Sequence, residues 1–185
     1  LEAMRDSAIS ENFEWAQKLG IKQAAAITGV KPEGNSSQLT AVSSGMHTWH
    51  SEYYIRTIRA DNKDPLTVML KDLNVVNESD VMNPEKTTVF SFPIKAPEGA
   101  YTRDSLSAVE HLNIWLAYQK SWCEHKPSIT VTVKEDEWLD VAAWVYKNFE
   151  WMSGVSFLPH SDHSYKQAPY QECSREAYEE LLNKT

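Results

Sequence analysis

Runs rich in β-branched and aromatic residues alternate with runs of helical periodicity along most of the chain. That alternation constrains the fold more than any other feature. "TTVFSFPI" (87–94) and "SITVTV" (128–133) are the two strongest strand patterns. Between them Leu106, Val109, Leu112 and Leu116 share one face of a helix expected over 103–122, with Thr102 as its cap. "SEYYIRTIRA" (51–60), Ala24–Val30 and 154–158 read as further strands. Helices are expected over 3–19, with Met4, Ala8, Ile9, Phe13, Ala16 and Leu19 inward and Gly20 as the stop, and over 64–74, opened by Asp64 and Pro65. Another is expected from Asp136, with Trp138, Val141, Ala142, Val145 and Phe149 as its core stripe. The last runs from Ser174, with Tyr178, Leu181 and Leu182 inward. Near-continuous apolar strands separated by helices predict an α/β fold with a mainly parallel sheet and outer helices. No internal repeat or low-complexity linker divides the sequence, so residues 1–185 read as a single unit.

The formal net charge of −8 argues against nucleic acid and anionic membrane as partners, because both need a basic face that displaces counterions. A small anionic ligand stays possible, held by local N–H groups and one or two cations. Two cysteines, Cys123 and Cys173, make no disulfide framework and suit a reducing compartment. No run of apolar residues nears the length of a membrane span and no secretory leader pattern is present, so a cytoplasmic location is expected. "LEAMRDSAIS" starts in mid-helical pattern without a cap, as a piece of a longer chain would.

The stretch "VKPEGNSSQLTAVSSG" (30–45) follows the apolar run "AAAITG". A chain that breaks at Pro-x-Gly and restarts as a short helix, capped by Asn35 or Ser36 and running to Val42, leaves backbone N–H groups unpaired. Such groups, with the partial positive charge of a helix start, suit phosphate. Asn35, Ser36 and Ser37 would add side-chain donors there, and Lys31 a full charge. Pro32 shapes the turn but has no N–H to give. The pattern is neither a Walker A loop nor a Gly-x-Gly-x-x-Gly turn. The same residues also suit a plain capped helix after a sharp turn.

The wider run "AAAITGVKPEGNSSQLTAVSSGMHTWHSEYYIRTIR" resembles the adenosylcobalamin-dependent, or class II, ribonucleotide reductases. The likeness continues through "TTVFSFPIKAPEGA", "WLAYQKSWCEHKPSITVTVKEDEW" and "GVSFLPHSDHSYKQAPYQE", covers most of residues 12–182, and is closest to the monomeric ribonucleoside-triphosphate type. The resemblance implies part of a ten-stranded α/β barrel, here its carboxy-terminal segment. It implies a ribonucleoside triphosphate substrate whose phosphates are expected on Glu33, Gly34, Asn35, Ser36 and Ser37, mostly through backbone N–H, and adenosylcobalamin as cofactor of the complete enzyme. It also implies a remaining reductase segment carrying the finger loop, and a thiol reductant such as thioredoxin. In that family a finger-loop cysteine within Asn-x-Cys-x-Glu becomes a thiyl radical. This sequence has no such motif, and neither "SWCEHK" nor "QECSRE" supplies it. The chain by itself is therefore expected to be inactive. A part-barrel with open sheet edges is expected to be aggregation-prone, dimeric or marginally stable alone.

Other residues invite chemistry. His160, Asp162 and His163, or Cys123, Glu124 and His125, are drawn together as metal candidates, without the four-ligand spacing of structural zinc. His47 and His50 are candidates for touching substrate or corrin. Arg56 and Arg59 are expected on opposite faces of a strand, with one toward an anion. The alternative to a reductase segment is a non-catalytic nucleotide-binding or partner-binding module lacking the radical cysteine. A small metal hydrolase ranks last.

Overall fold

The computed structural model describes residues 1–161 and 165–184. Asp162 and His163 lie outside the described residues. In chain order the elements are α1 (Glu2–Leu19), α2 (Ser36–Leu39), β1 (Tyr53–Asp61), α3 (Pro65–Asp72), β2 (Asn77–Ser79), β3 (Thr87–Lys95), α4 (Ala108–Ser121), β4 (Ser128–Val133), α5 (Trp138–Lys147), β5 (Gly154–Pro159), β6 (Tyr170–Glu172) and α6 (Arg175–Leu182). They fall into two compact units, Leu1–Thr48 with Asp104–His160, and Trp49–Arg103 with Ser161–Thr185.

The first unit is built on β4 and β5, which pair in parallel from Ser128↔Gly154 to Val133↔Pro159. Because side chains alternate along a strand, Ile129, Val131 and Val133 share one face of β4. That face packs with Ala108, Leu112 and Trp115 of α4 and Val141 and Trp144 of α5 as one apolar cluster. Each such aliphatic side chain contributes roughly 1.5–3 kcal/mol on burial. Helix α4 starts at Ser107, whose hydroxyl accepts from the Glu110 N–H while the Glu110 carboxylate accepts from the Ser107 N–H, a reciprocal capping box. The Ser107 N–H first, and then the Ser107 hydroxyl, hold the Glu110 carboxyl below the usual range.

The second unit is a four-stranded sheet in the order β2-β3-β1-β6. Strands β1 and β3 pair antiparallel over their full lengths, from Tyr53↔Lys95 to Asp61↔Thr87. Pro93 falls on the part of β3 beyond its pairing with β2, where a missing N–H costs no ladder bond. Its apolar cluster is small: Trp49, Tyr54 and Ala96. Polar pins supplement it. Asp80, 3% exposed, accepts from Arg59 Nε at 3.3 Å and from the Asn83 N–H at 3.1 Å. Gln167 donates to Glu78 and to the Ser79 carbonyl and accepts from the Val81 N–H. Thr57 holds the same segment through its hydroxyl to Ala168 O and its N–H to Pro169 O.

The expected ten-stranded α/β barrel of mainly parallel strands does not form. The described strands make two small sheets, neither closed, and only β4–β5 is parallel. The reason lies in β1–α3–β2–β3. A helix between two strands normally marks a parallel crossover. Here Asn62 N–H donates to Lys86 O at 2.8 Å, so the intervening segment closes as a long hairpin excursion and β3 returns antiparallel.

Local expectations divide in the same way. Asp64 caps α3 at the Leu66 N–H, and Ser174 caps α6 at the Ala177 N–H. The helix expected from Thr102 begins instead at Ala108, where Ser107 completes the capping box. The expected strand at 24–30 is not a strand: the Glu124 carboxylate takes the Ile27 and Thr28 N–H groups, and Thr28 O accepts from Glu124 and His125. Along α1 only Ala16 is buried, and Met4, Ile9, Phe13 and Leu19 face out. On α5 the inward residues are Val141 and Trp144, while Phe149 is 72% exposed.

Candidate functional site

The stretch 31–47 forms a closed loop around the single turn of α2, which ends at Leu39 rather than Val42. Three contacts close it. Ser44 Oγ accepts from the Glu33 N–H at 2.9 Å and donates to Glu33 O at 2.7 Å. Ser37 Oγ, fully buried, donates to the same Glu33 carbonyl at 3.1 Å. Gly45, at φ +59°, passes so close to Lys31 that a Cβ there would sit 2.9 Å from the Lys31 carbonyl oxygen. The alternation of small hydroxyl residues and glycine in the sequence is what permits this tight return.

Glu33, Gly34, Asn35, Ser36 and Ser37 are thus brought together on one turn. Their side chains are largely spoken for. Ser36 Oγ donates to the Glu33 carboxylate at 2.6 Å, and Asn35, at the N-cap position, makes no side-chain cap bond. Asn35 O accepts from the Gln38 and Leu39 N–H groups, so the helix ladder starts there. The backbone N–H groups of residues 35–37 meet no acceptor among the described residues, and the Glu33 carboxylate, which the sequence reading did not weigh, lies on the same turn. Lys31 does not project toward the turn; its ammonium donates to Lys126 O.

His47 is tied down at both ring nitrogens. Nδ1 lies 2.8 Å from Ser44 O, so it carries the proton and donates, and Nε2 accepts from the Thr130 N–H at 3.0 Å. The ring therefore anchors the loop's return leg to the edge of β4 instead of reaching for a ligand. His111 Nε2 reaches Met46 O at 2.7 Å and fixes the same leg from α4. Burial pushes the His111 pKa down.

A cavity of about 380 Å³ opens beside Pro32, against the first residues of β4 and β5. His47, Lys126, Ser128, Thr130, Ser153 and Ser156 line it, and none of its ten lining residues is acidic. Ser128 and Thr130 alternate on the face of β4 opposite Ile129 and Val131, and Ser156 stands opposite Thr130 in register. This set was not foreseen. Its signal was the period-two spacing of hydroxyls in "SITVTV", which we read only as strand propensity.

The remaining candidates have structural roles. Glu124 is a backbone cap, and its carboxyl is held below the usual range by the N–H of Ile27 and then Thr28. Cys123 is half-buried, with burial pushing its thiol up. His160 pairs with Asp104 at 2.9 Å. Among the described residues no group of three or more His, Cys, Asp or Glu is placed to hold a metal. Arg59 is bound to Asp80, and Arg56 lies over the Tyr170 ring at 5.9 Å. His50 stacks on Tyr170 and meets Tyr54 edge-on. No described helix is long and apolar enough to cross a membrane.

No family model matches the chain. It is 30% identical over 187 residues to the adenosylcobalamin-dependent ribonucleoside-triphosphate reductase of Lactobacillus gasseri, which covers 99% of this chain and 25% of that protein. The Euglena gracilis enzyme of the same description is 31% identical over 174 residues, covering 92% and 23%. A crystal structure of a B12-dependent (class II) ribonucleotide reductase superposes with a TM-score of 0.86 at 27% identity, covering 99% of this chain and 26% of that one. The chain thus spans about a quarter of the length of the curated relatives it matches.

Proposed function

We propose that this chain, homologous at family level to the adenosylcobalamin-dependent (class II) ribonucleotide reductases, supplies the substrate phosphate grip of such a reductase. The substrate would be a ribonucleoside triphosphate, reduced to the 2′-deoxy form by the complete enzyme. The observation that carries the reading is the turn at 33–37, where the backbone N–H groups of Asn35, Ser36 and Ser37 lead a helix that no side chain caps. Glu33 and Gly34 set the turn that aims them. Ser37, locked by its own hydroxyl bond to Glu33 O, keeps the donors fixed before ligand arrives.

The radical step belongs to the whole reductase. Adenosylcobalamin, when bound, supplies cobalt–carbon homolysis. No residue here is assigned to that group, and the histidine beside Pro32 has both ring nitrogens engaged. We route no step through the cofactor. The remaining reductase segment is the proposed partner, supported by exposed apolar side chains on two helices, among them Trp15, Leu139 and Tyr146. Residues 1–185 act as one segment in this reading, with a thiol reductant serving the complete enzyme.

The test is nucleotide binding by the loop. Asn35→Asp is nearly isosteric and breaks no side-chain cap bond, but it places a carboxylate at the donors. Triphosphate affinity is expected to fall about tenfold, since one tenfold step is 1.4 kcal/mol. Unchanged affinity overturns the phosphate assignment. A polypeptide carrying Asn-x-Cys-x-Glu, added with cobalamin and a dithiol, is expected to restore reduction that the chain alone lacks. Binding without restoration favours the non-catalytic module, a reading supported by the absence of that motif from the sequence.

A further inference from the structure

We propose that the cavity beside Pro32 is a second anion-binding site, built from the small polar face of β4 and β5 and separate from the N–H groups of 35–37. Four observations carry it. First, a chain with net charge −8 contributes no carboxylate to the ten residues lining this cavity. Second, the Lys126 ammonium meets no acceptor among the described residues, while Lys31 places its own ammonium on the Lys126 carbonyl at the rim. Lys126 is thus the one cation among the residues lining the cavity, with Lys31 tethered to its backbone carbonyl. Third, the hydroxyls of Ser128, Thr130 and Ser156 have no partner among the described residues and share one face. Hydroxyl donors fixed on strands are preorganised for an oxyanion, and a lysine adds the point charge that phosphate recognition uses. Fourth, both ring nitrogens of His47 on the wall are engaged, by Ser44 O and the Thr130 N–H, so it gives the cavity a rigid side without competing for the anion.

Gly154 is one of the lining residues. A Cβ at that position would sit 2.7 Å from Pro127 O and 2.9 Å from Ser128 Oγ, so the strands approach closely and Ser128 Oγ stays beside the opening. None of residues 33–37 lines the cavity. The ligand class is a small phosphorylated or polyphosphate anion. A divalent cation is disfavoured by the missing carboxylates.

Amide hydrogen exchange of the 185-residue chain, across a concentration series of tripolyphosphate, tests the site. Protection is expected in peptides spanning 126–133 and 153–159, with a saturable midpoint. Lys126→Glu is expected to weaken that midpoint at least tenfold, and Ser156→Ala, which leaves the backbone unstrained, about threefold. Asn35→Asp is expected to leave it unchanged. Protection confined to 31–39, abolished by Asn35→Asp and indifferent to Lys126→Glu, would overturn the cavity while leaving the loop as phosphate grip. Cavity protection that survives while a ribonucleoside triphosphate ignores Asn35→Asp would uphold the cavity and sink the loop. Protection without saturation, or a midpoint unmoved in both cavity variants, also overturns it. Orthophosphate in a parallel series separates a single-phosphate site, which both anions fill equally, from a polyphosphate site; either result supports the proposal.

Discussion

The two units hold themselves together by different means. The first buries eight residues in one apolar cluster against a parallel strand pair. The second has a smaller cluster, Trp49, Tyr54 and Ala96, with Val75, Val89, Phe90 and Ala168 buried outside it, and adds the Arg59–Asp80–Gln167 pins and a long antiparallel ladder. Packing is non-directional and tolerates polar groups on the far side of the sheet. Hydrogen-bond pins fix geometry but fail sharply when one member is lost, because the other is left buried and unsatisfied. This difference explains why the candidate ligand sites lie in the first unit: its core consumes only one face of β4–β5, and the hydroxyl face stays available.

The contrast is broken most directly at Trp115, 0% exposed, which also donates from Nε1 to Pro127 O at 3.3 Å. Trp115→Ala is expected to cost about 3–5 kcal/mol. Six of the seven tryptophans (15, 115, 122, 138, 144 and 151) lie in the first unit, so indole fluorescence during urea unfolding reports it. An equal loss of exchange protection in 87–95 would show that the units are not separately stabilised. Asp80→Ala is the converse test. It strands the Asn83 N–H and releases Arg59, whose side chain is 38% exposed and so softens the loss. About 2 kcal/mol is expected, read as faster exchange at 165–172 with 128–133 unchanged. Ser107→Ala removes half the α4 capping box and should cost about 1 kcal/mol, with fraying confined to 107–112.

The gentlest probe is pH, and the units should respond at opposite ends. Burial lowers the His111 pKa in the folded state, so the neutral ring is the stabilising form. Its contribution is complete above the unfolded value near 6.5 and declines as pH falls below it. Burial first, and then Tyr170, push Tyr54 up to about 12. Its contribution is complete below the unfolded value near 10 and is lost as pH rises toward 12. Melting curves at pH 5 and pH 10.5 are expected to weaken the first and second units respectively. His111→Asn and Tyr54→Phe should flatten the matching limb, and a limb that persists in its variant rejects the assignment.

Local chemistry was legible in the sequence wherever a residue acts on its own neighbourhood. Asp64 before Pro65 and Ser174 before Arg175 announce their helices, and "SITVTV" announces β4 with its bounds. Long-range partners were not. Nothing local to Ala24–Val30 reveals that Glu124 takes its N–H groups, or that Gln167 at φ +61° reaches Glu78 and Ser79. Alternation of strand and helix also cannot tell a crossover from a hairpin excursion, and that ambiguity is where the barrel expectation failed. At the candidate site, the turn was legible from Pro-x-Gly and the hydroxyl run. The engagement of those hydroxyls with Glu33, and the redirection of Lys31 to Lys126, depend on contacts that sequence spacing does not encode.

The order of the chain through the two units sets a timetable. Residues 1–48 and 104–160 build one unit, yet the whole of 49–103 is synthesised between them. The Glu124 carboxylate that organises Ile27 and Thr28 therefore leaves the ribosome long after them. Closing so long a loop adds little equilibrium penalty, because the entropy grows only with the logarithm of length. The burden is temporal. Until Glu124 and His47's partner strand arrive, the 27–47 segment lacks those contacts, so its final order follows the synthesis of β4.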